Sequence, residues 1–403
     1  MNALVALPLL AHALSASSGS DRGEPVNYAR DVAPILQRRC QACHRPGQVG
    51  PFSLLSYDEA RGHAKMIVQV VEQGVMPPWN ADKRFDGVFA NQRSLTDGEK
   101  KTIASWIAAG MPRGNPSEDP APRTWPEGWS IGKPDVVFTP DSDFLTKQPL
   151  PAEGYVVPRE GVVEYQYFTV QTNFPEDRWV KAYEVKAGSP DVVHHVLASL
   201  QTPSGQLDEK SFLATYVPGD TPSIYPPGYA KRLPAGATLI FQVHYTPNGK
   251  ERRDRPQLAV IFADEAPQFV VQSNTVMNRS FEIPAGAADH EVRASQVFHT
   301  EVGLLSLFPH MHTRGKDFRV VAHYPDGEEQ ELLFAHYDFN WQESYLLPDP
   351  ILLPPGTELE CIGHYDNSAA NPNNPDPKAA VHWGDQTFEE MFVGFLETVV
   401  PLE

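Results

Sequence analysis

Two imidazoles separated by a single residue stand in the octapeptide FPHMHTRG, where His310 and His312 flank Met311. On an extended chain side chains alternate in direction, so the two histidines share a face and Met311 points the other way. Neutral imidazoles are good metal ligands, and two on one face supply half of a coordination site. In isolation such a pair reads better as one packed and one solvated histidine, so a metal role depends on what else the chain can bring to it.

The 14 histidines are unevenly spread, with none between His63 and His194. DVVHHVLASL then supplies His194 and His195, and ATLIFQVHYTP supplies His244. Neighbouring side chains on a regular strand face opposite ways. His194 and His195 can therefore share one ion only through a bulge or bend; otherwise one of them belongs to the core.

A second kind of chemistry is written at residues 40–44. CQACH has the C-x-x-C-H spacing of c-type haem attachment. Cys40 and Cys43 would form thioethers to the porphyrin edge, and His44 would be carried beneath the iron as a ligand. A zinc site would need further Cys or His nearby, which the segment lacks. Ahead of the motif, Val32, Ile35 and Leu36 have helical spacing, with Asn27 as N-cap. Behind it, DEARGHAKMIVQVVEQG reads as one helix ending at Gly74. The following VMPPW sets Met76 in a rigid loop, the usual source of a sixth ligand for an electron-carrying haem. His63 and Met66 are the alternative ligands. Thr96 with Glu99 forms a capping box that opens a further helix through Ile103, Trp106 and Ile107 to Gly110. Over residues 25–112 this order resembles a small cytochrome c, which implies a small all-α domain holding one covalent haem c.

The elements that must position the later histidines have a different texture. The chain of 403 residues is long enough for two or three domains, and 39 prolines with 21% charged residues suit loop-rich β structure. Residues 113–130, RGNPSEDPAPRTWPEGWS, read as a linker. Beyond it, alternating runs such as EYQYFTVQ and RWVKAYEVK are separated by Pro/Gly turns, which predicts antiparallel sandwiches. A net charge of −18 argues against nucleic acid as a partner. No apolar run is long enough for a transmembrane span. Residues 1–20, MNALVALPLLAHALSASSGS, read as a secretory signal peptide without the usual leading Lys or Arg, implying a periplasmic or secreted protein. The third cysteine, Cys361, has no partner once Cys40 and Cys43 are assigned.

DVVHHVLASL, FQVHY, an HxH followed by Arg-Gly, DFNWQ and VHWGDQTFEEM, in that order, resemble the copper type II, ascorbate-dependent monooxygenases, the family of peptidylglycine α-hydroxylating and dopamine β-monooxygenases. The resemblance covers roughly residues 131–400. It implies two jelly-roll-like sandwiches facing each other across a solvent cleft, residues 131–285 and 286–403. It also implies two copper ions, one on His194, His195 and His244 and one on His310, His312 and Met391. The second would be the oxygen-activating copper, hydroxylating a substrate C–H with O2. The donor types agree, since a thioether beside two imidazoles favours Cu(I).

Electrons would come from ascorbate or a donor protein, and the fused haem could feed the three-histidine copper. His364 and His382 are candidates near the cleft; His290, His299, His323 and His336 read as surface or structural residues. The chain departs from the peptide-amidating members. Phe308 stands where they carry a carboxylate-clamping Arg, and Val393 and Phe395 replace their Asn and Tyr. Those three residues would line a pocket for a small, rather apolar substrate. The competing reading is a non-catalytic periplasmic haem/copper electron carrier or copper-binding protein.

Overall fold

The computed structural model describes residues 25–217 and 222–402, with backbone alone for 207–211; the signal-peptide reading of residues 1–20 lies outside them. Most of the chain is β. A nine-stranded sheet runs in the order Val136–Phe138, Gln257–Phe262, Arg178–Lys186, Tyr229–Leu233, Phe269–Met277, Val393–Pro401, Val302–His310, Tyr345–Leu353, with Ser223–Ile224 off this path against Arg178–Lys186. A five-stranded sheet containing Val193–Gln201 and Thr238–Tyr245 belongs to the first half, and a four-stranded sheet containing Gly315–His323 and Glu358–Tyr365 to the second.

Each half packs its own apolar core. One is built around Phe168, Val196, Phe241 and Val260, the other around Leu304, Phe318, Leu333 and Phe392. Alternate residues of the facing strands point inward, as expected for sandwich layers. The halves are not separate bodies, because Phe269–Met277 pairs in parallel with Tyr229–Leu233 and antiparallel with Val393–Pro401. At that seam the buried Lys231 ammonium lies 2.7 Å from Glu397, and it donates to Ser273 Oγ and to the carbonyls of Phe212 and Leu213. Those bonds satisfy a cation that would otherwise be expensive to bury.

The expectation of a small all-α cytochrome domain is corrected. The α-helices of the front segment are short: Ala33–Arg39, Tyr57–Gly62, Ala64–Glu72 and Asp97–Ala108. The helix anticipated through residue 74 breaks at His63, whose ring stacks on Phe52 at 3.9 Å instead of continuing a helical face. The capping box of Thr96 and Glu99 does form.

More decisively, residues 79–93 leave the helices and dock as a strap on the second sandwich. Ala81 bridges Ala335, Asp82 N–H donates to the Phe334 carbonyl, and Ala90 N–H donates to the Leu346 carbonyl. Phe85 and Phe89 enter the core of that sandwich. A segment that gives its aromatic side chains to a β core is no self-contained helical domain. Residues 113–130 are likewise anchored: Arg123 donates to the Gln37 carbonyl, and Ser130 and Ile131 N–H groups donate to Glu184. No helix among the described residues is long and apolar enough to cross a membrane.

Candidate metal centre

The doubt about His194 and His195 is resolved by register. Val196 pairs with Val243 and His195 with His244, but the next pair is Val193 with Tyr245. His194 is thus the extra residue of a bulge, which turns it toward its neighbour. His194 Nδ1 lies 3.3 Å from His195 Nδ1. Two nitrogens each ~2.0–2.1 Å from one ion stand about 3.3 Å apart in tetrahedral coordination. Donor atoms of His194, His195 and His244 all lie within 4.8 Å of one another.

His310 ends the strand Val302–His310, and His312 follows two residues later; their rings are 5.4 Å apart at 88°. The backbone between them is clamped. The Tyr337 hydroxyl donates to the Met311 carbonyl at 2.6 Å and accepts from Met311 N–H at 3.0 Å. Met311 itself is fully buried in the core, on the side away from the imidazoles.

Met391 lies two residues before Val393, the strand partner of His310, and directly follows Glu390. The buried Glu390 carboxylate holds this junction. It accepts from His312 N–H and Arg314 N–H, both at 2.8 Å, and from Met391 N–H. The Tyr365 hydroxyl donates to the Met391 carbonyl at 2.6 Å.

The two sets do not stand across an open cleft. His195 and His310 meet edge to face with ring centroids 6.2 Å apart. Phe339 fills the remaining side, stacked on His194 at 4.3 Å and 6.2 Å from the His312 ring. His195, His244, His310 and His312 are all buried. Tyr165 borders His195 and His244 at 5.4 and 4.8 Å.

Burial lowers all five imidazole pKa values. His194 falls to about 4 and His244 to about 3, with neighbouring imidazoles adding to the effect. His195 and His312 lie well below the usual range for the same reasons; His310 is also lowered, opposed by its bond to Gln342. Neutral rings keep lone pairs for a metal.

The donor set fits copper. His310 Nδ1 donates to Gln342 Oε1 at 2.7 Å, and His312 Nδ1 donates to the Glu389 carbonyl at 3.2 Å. These bonds fix both tautomers with Nε2 free of hydrogen, as outer hydrogen bonds of metal-ligating histidines do. His312 Nε2 and His244 Nδ1 are buried without a hydrogen-bond partner. Buried polar atoms are rarely left so unless something else binds them.

The residues expected to line a substrate pocket lie beside His310. Phe308 and Val393 are buried, and Phe395 packs against Phe308 at 5.8 Å, Phe212 at 5.5 Å and His310 at 6.0 Å. The cavity beside Gln342 and Pro309 measures about 10 Å³, near the size of one water.

In the front segment, Cys43 and His44 N–H groups both bond the Cys40 carbonyl, so one turn gathers the two sulfurs and the imidazole. Burial pushes the Cys40 thiol up to about 12 and raises that of Cys43. His44 Nδ1 donates to the Phe52 carbonyl at 3.1 Å, leaving Nε2 outward. A Cβ at Gly50 would stand 2.7 Å from the Cys43 carbonyl oxygen and 2.9 Å from His44 Nδ1, so only glycine fits beneath this ring. Val49, Leu55, Met66 and Val75 expose apolar surface around the turn in sequence. Two thiols and an imidazole gathered on one turn suit a covalent haem. Met76 sits directly after Ala64–Glu72, its N–H on the Val70 carbonyl, where the chain enters the strap.

Sequence reading did not assign Phe339, Gln342, Glu390 or Tyr165 to the site. The first three lie in DFNWQ and TFEEM, segments marked by the family resemblance but without individual roles. Four of the other histidines pair with carboxylates: His364 with Asp317, His323 with Glu329 and Glu360, His336 with Asp82, and His382 with Glu282.

No family model matches the chain, and no curated protein does. Among solved structures, the major capsid protein P2 of bacteriophage PM2 is similar over 66% of this chain and 98% of its own, at 10% identity and a TM-score of 0.31. Allantoicase from Saccharomyces cerevisiae is similar over 60% of this chain and 81% of its own, at 7% identity and 0.16. Infectious bursal disease virus VP2 is similar over 67% and 73%, at 10% identity and 0.18. Scores this low carry no argument about function.

Proposed function

We propose that this protein is a copper-dependent monooxygenase that hydroxylates a C–H bond of a small, apolar organic substrate with O2, drawing electrons through a haem c attached at Cys40 and Cys43. The observation that supports it best is the convergence of His194, His195 and His244 with His310 and His312 in one buried cluster. We assign Met391, two residues before the Val393 that pairs with His310, as the third ligand of the second set.

Copper bound there supplies one-electron redox chemistry and a place for dioxygen to react. The chain's own residues do the rest. Gln342 and the Glu389 carbonyl hold the two imidazoles in the metal-binding tautomer. The Glu390 carboxylate fixes the spacing of the His312 and Met391 backbones. A thioether beside two imidazoles biases that site toward the cuprous state. Phe395 packs against His310 and is backed by Phe308 and Phe212, an apolar side to the site. Phe339 shields the cluster from water, which strengthens electrostatic interactions within it.

The closeness of the rings and the small adjoining cavity favour a second reading, a haem/copper electron carrier without an organic substrate. Oxygen consumption by the reduced, copper-loaded protein against a panel of small molecules separates the two. The monooxygenase reading expects substrate-dependent uptake with product hydroxylation, lost in Met391→Ile, and little activity on glycine-extended peptides. Uptake that no substrate stimulates leaves the carrier.

A further inference from the structure

The loop between Glu329–His336 and Tyr345–Leu353 touches both the histidine cluster and the front segment. On one side Phe339 lies against His194, and Gln342 accepts from His310 Nδ1. On the other side the strap holds the loop and its flanks at both ends. Asn80 Nδ2 donates to the Trp341 carbonyl, and Trp79 packs edge-on against Tyr345 at 5.2 Å. Asn91 Nδ2 donates to the Ser344 carbonyl, and its side-chain oxygen accepts from Leu346 N–H. Between these clamps, Arg93 Nη2 donates to Glu343 Oε1 at 2.6 Å, with the Glu343 side chain only 2% exposed. Arg39, at the end of the helix that leads into CQACH, donates to the Gln92 carbonyl next to Arg93.

We infer that electrons pass from the CQACH segment into the cluster at His310, by way of Arg93, Glu343 and Gln342, rather than through the His194–His195–His244 set. This rests on the haem and copper reading above. The step is a one-electron transfer in which ferrous haem iron becomes ferric and cupric ion becomes cuprous; no bond or proton moves. Arg93 and Gln342 are positioning residues. Arg93 holds Glu343 against the front segment, and Gln342, the next residue, orients the imidazole that receives the electron. A bidentate-capable guanidinium on a buried carboxylate is a rigid junction, with little freedom for the loop to drift.

The test uses full-length protein with haem and copper contents measured first. The haem is reduced anaerobically, and its visible band and the cupric EPR signal are followed after rapid mixing. Arg93→Met and Gln342→Leu are expected to retain both cofactors and slow haem oxidation roughly ten- to a hundredfold, as loss of outer hydrogen bonds does at metal sites; Arg93→Lys should recover part of the rate. His244→Ala, which dismantles the three-histidine set, should retain the fast phase. Loss of that phase in His244→Ala, or unchanged rates in both Arg93→Met and Gln342→Leu, overturns the route while leaving the cofactors in place. Wild-type protein that takes up no haem or no copper overturns the functional reading itself, and the route with it.

Discussion

His195 and His310 belong to different sandwiches, yet their rings meet edge to face at 6.2 Å. His195 sits opposite His244 in the five-stranded sheet, and His310 ends a strand of the long shared sheet. Because that sheet continues from one half into the other, the halves hold these imidazoles together by backbone pairing as well as by side-chain contact. The arrangement is one cluster with two sets of ligands.

Copper ions on adjoining imidazole sets should sense each other magnetically. Protein loaded with two cupric ions is expected to give an EPR signal broadened by dipolar coupling, or one integrating to clearly fewer spins than bound ions. Two sharp signals that sum to the full copper content would show the sets to be independent.

Glu390 is the hinge pin of the second set. It accepts three backbone N–H groups and lies 3.8 Å from the buried Arg314 guanidinium. Glu390→Ala strands those donors and a buried cation, so a loss of about 3–5 kcal/mol in unfolding free energy is expected. Glu390→Gln, which keeps the shape and one acceptor, should lose less. Chemical denaturation of the metal-free variants measures this, and an alanine variant as stable as wild type would contradict it.

Much of this was readable from residue types, and the limits are instructive. Period-two alternation announced the sandwiches, and Thr96 with Glu99 announced a helix start. The HxH spacing correctly set Met311 on the core side. What sequence could not supply was register: nothing in DVVHHVLASL says that His194 occupies a bulge, since that depends on which residue of Thr238–Tyr245 lies opposite. Nor does the strap declare itself. Phe85 and Phe89 fall within the stretch expected to be a small helical domain, yet a distant β core claims them. The same non-locality hid Gln342 and Glu390, polar residues whose roles exist only against His310 and His312.

Phe339 covers the cluster between His194 and His312 and is itself only half-buried. Phe339→Ala should open the nearest path from solvent while leaving every ligand in place. Copper removal by a soluble chelator is expected to speed up by about tenfold or more, with copper stoichiometry unchanged, since an apolar shell controls solvent access to such a site. An unchanged removal rate would mean that solvent reaches the metal from another side.

The buried imidazoles also predict how the metal-free protein responds to acid. In the unfolded chain a histidine titrates near 6.5, whereas in the folded protein burial, with mutual repulsion second, lowers His194 to about 4 and His244 to about 3. Between those values and 6.5 the unfolded chain binds protons that the folded chain does not. Stability therefore increases with pH across this window, is fully present above about 6.5, and is lost as pH falls through the folded values. Thermal unfolding midpoints of metal-free protein should drop between pH 7 and pH 4. Carboxylates held below their usual range act in the same direction, whereas buried Glu390, raised to about 8, acts in the opposite one, so the comparison that isolates the cluster is His244→Ala, whose midpoint should fall less steeply. Parallel slopes for the variant and the wild type would show that the cluster does not drive acid sensitivity.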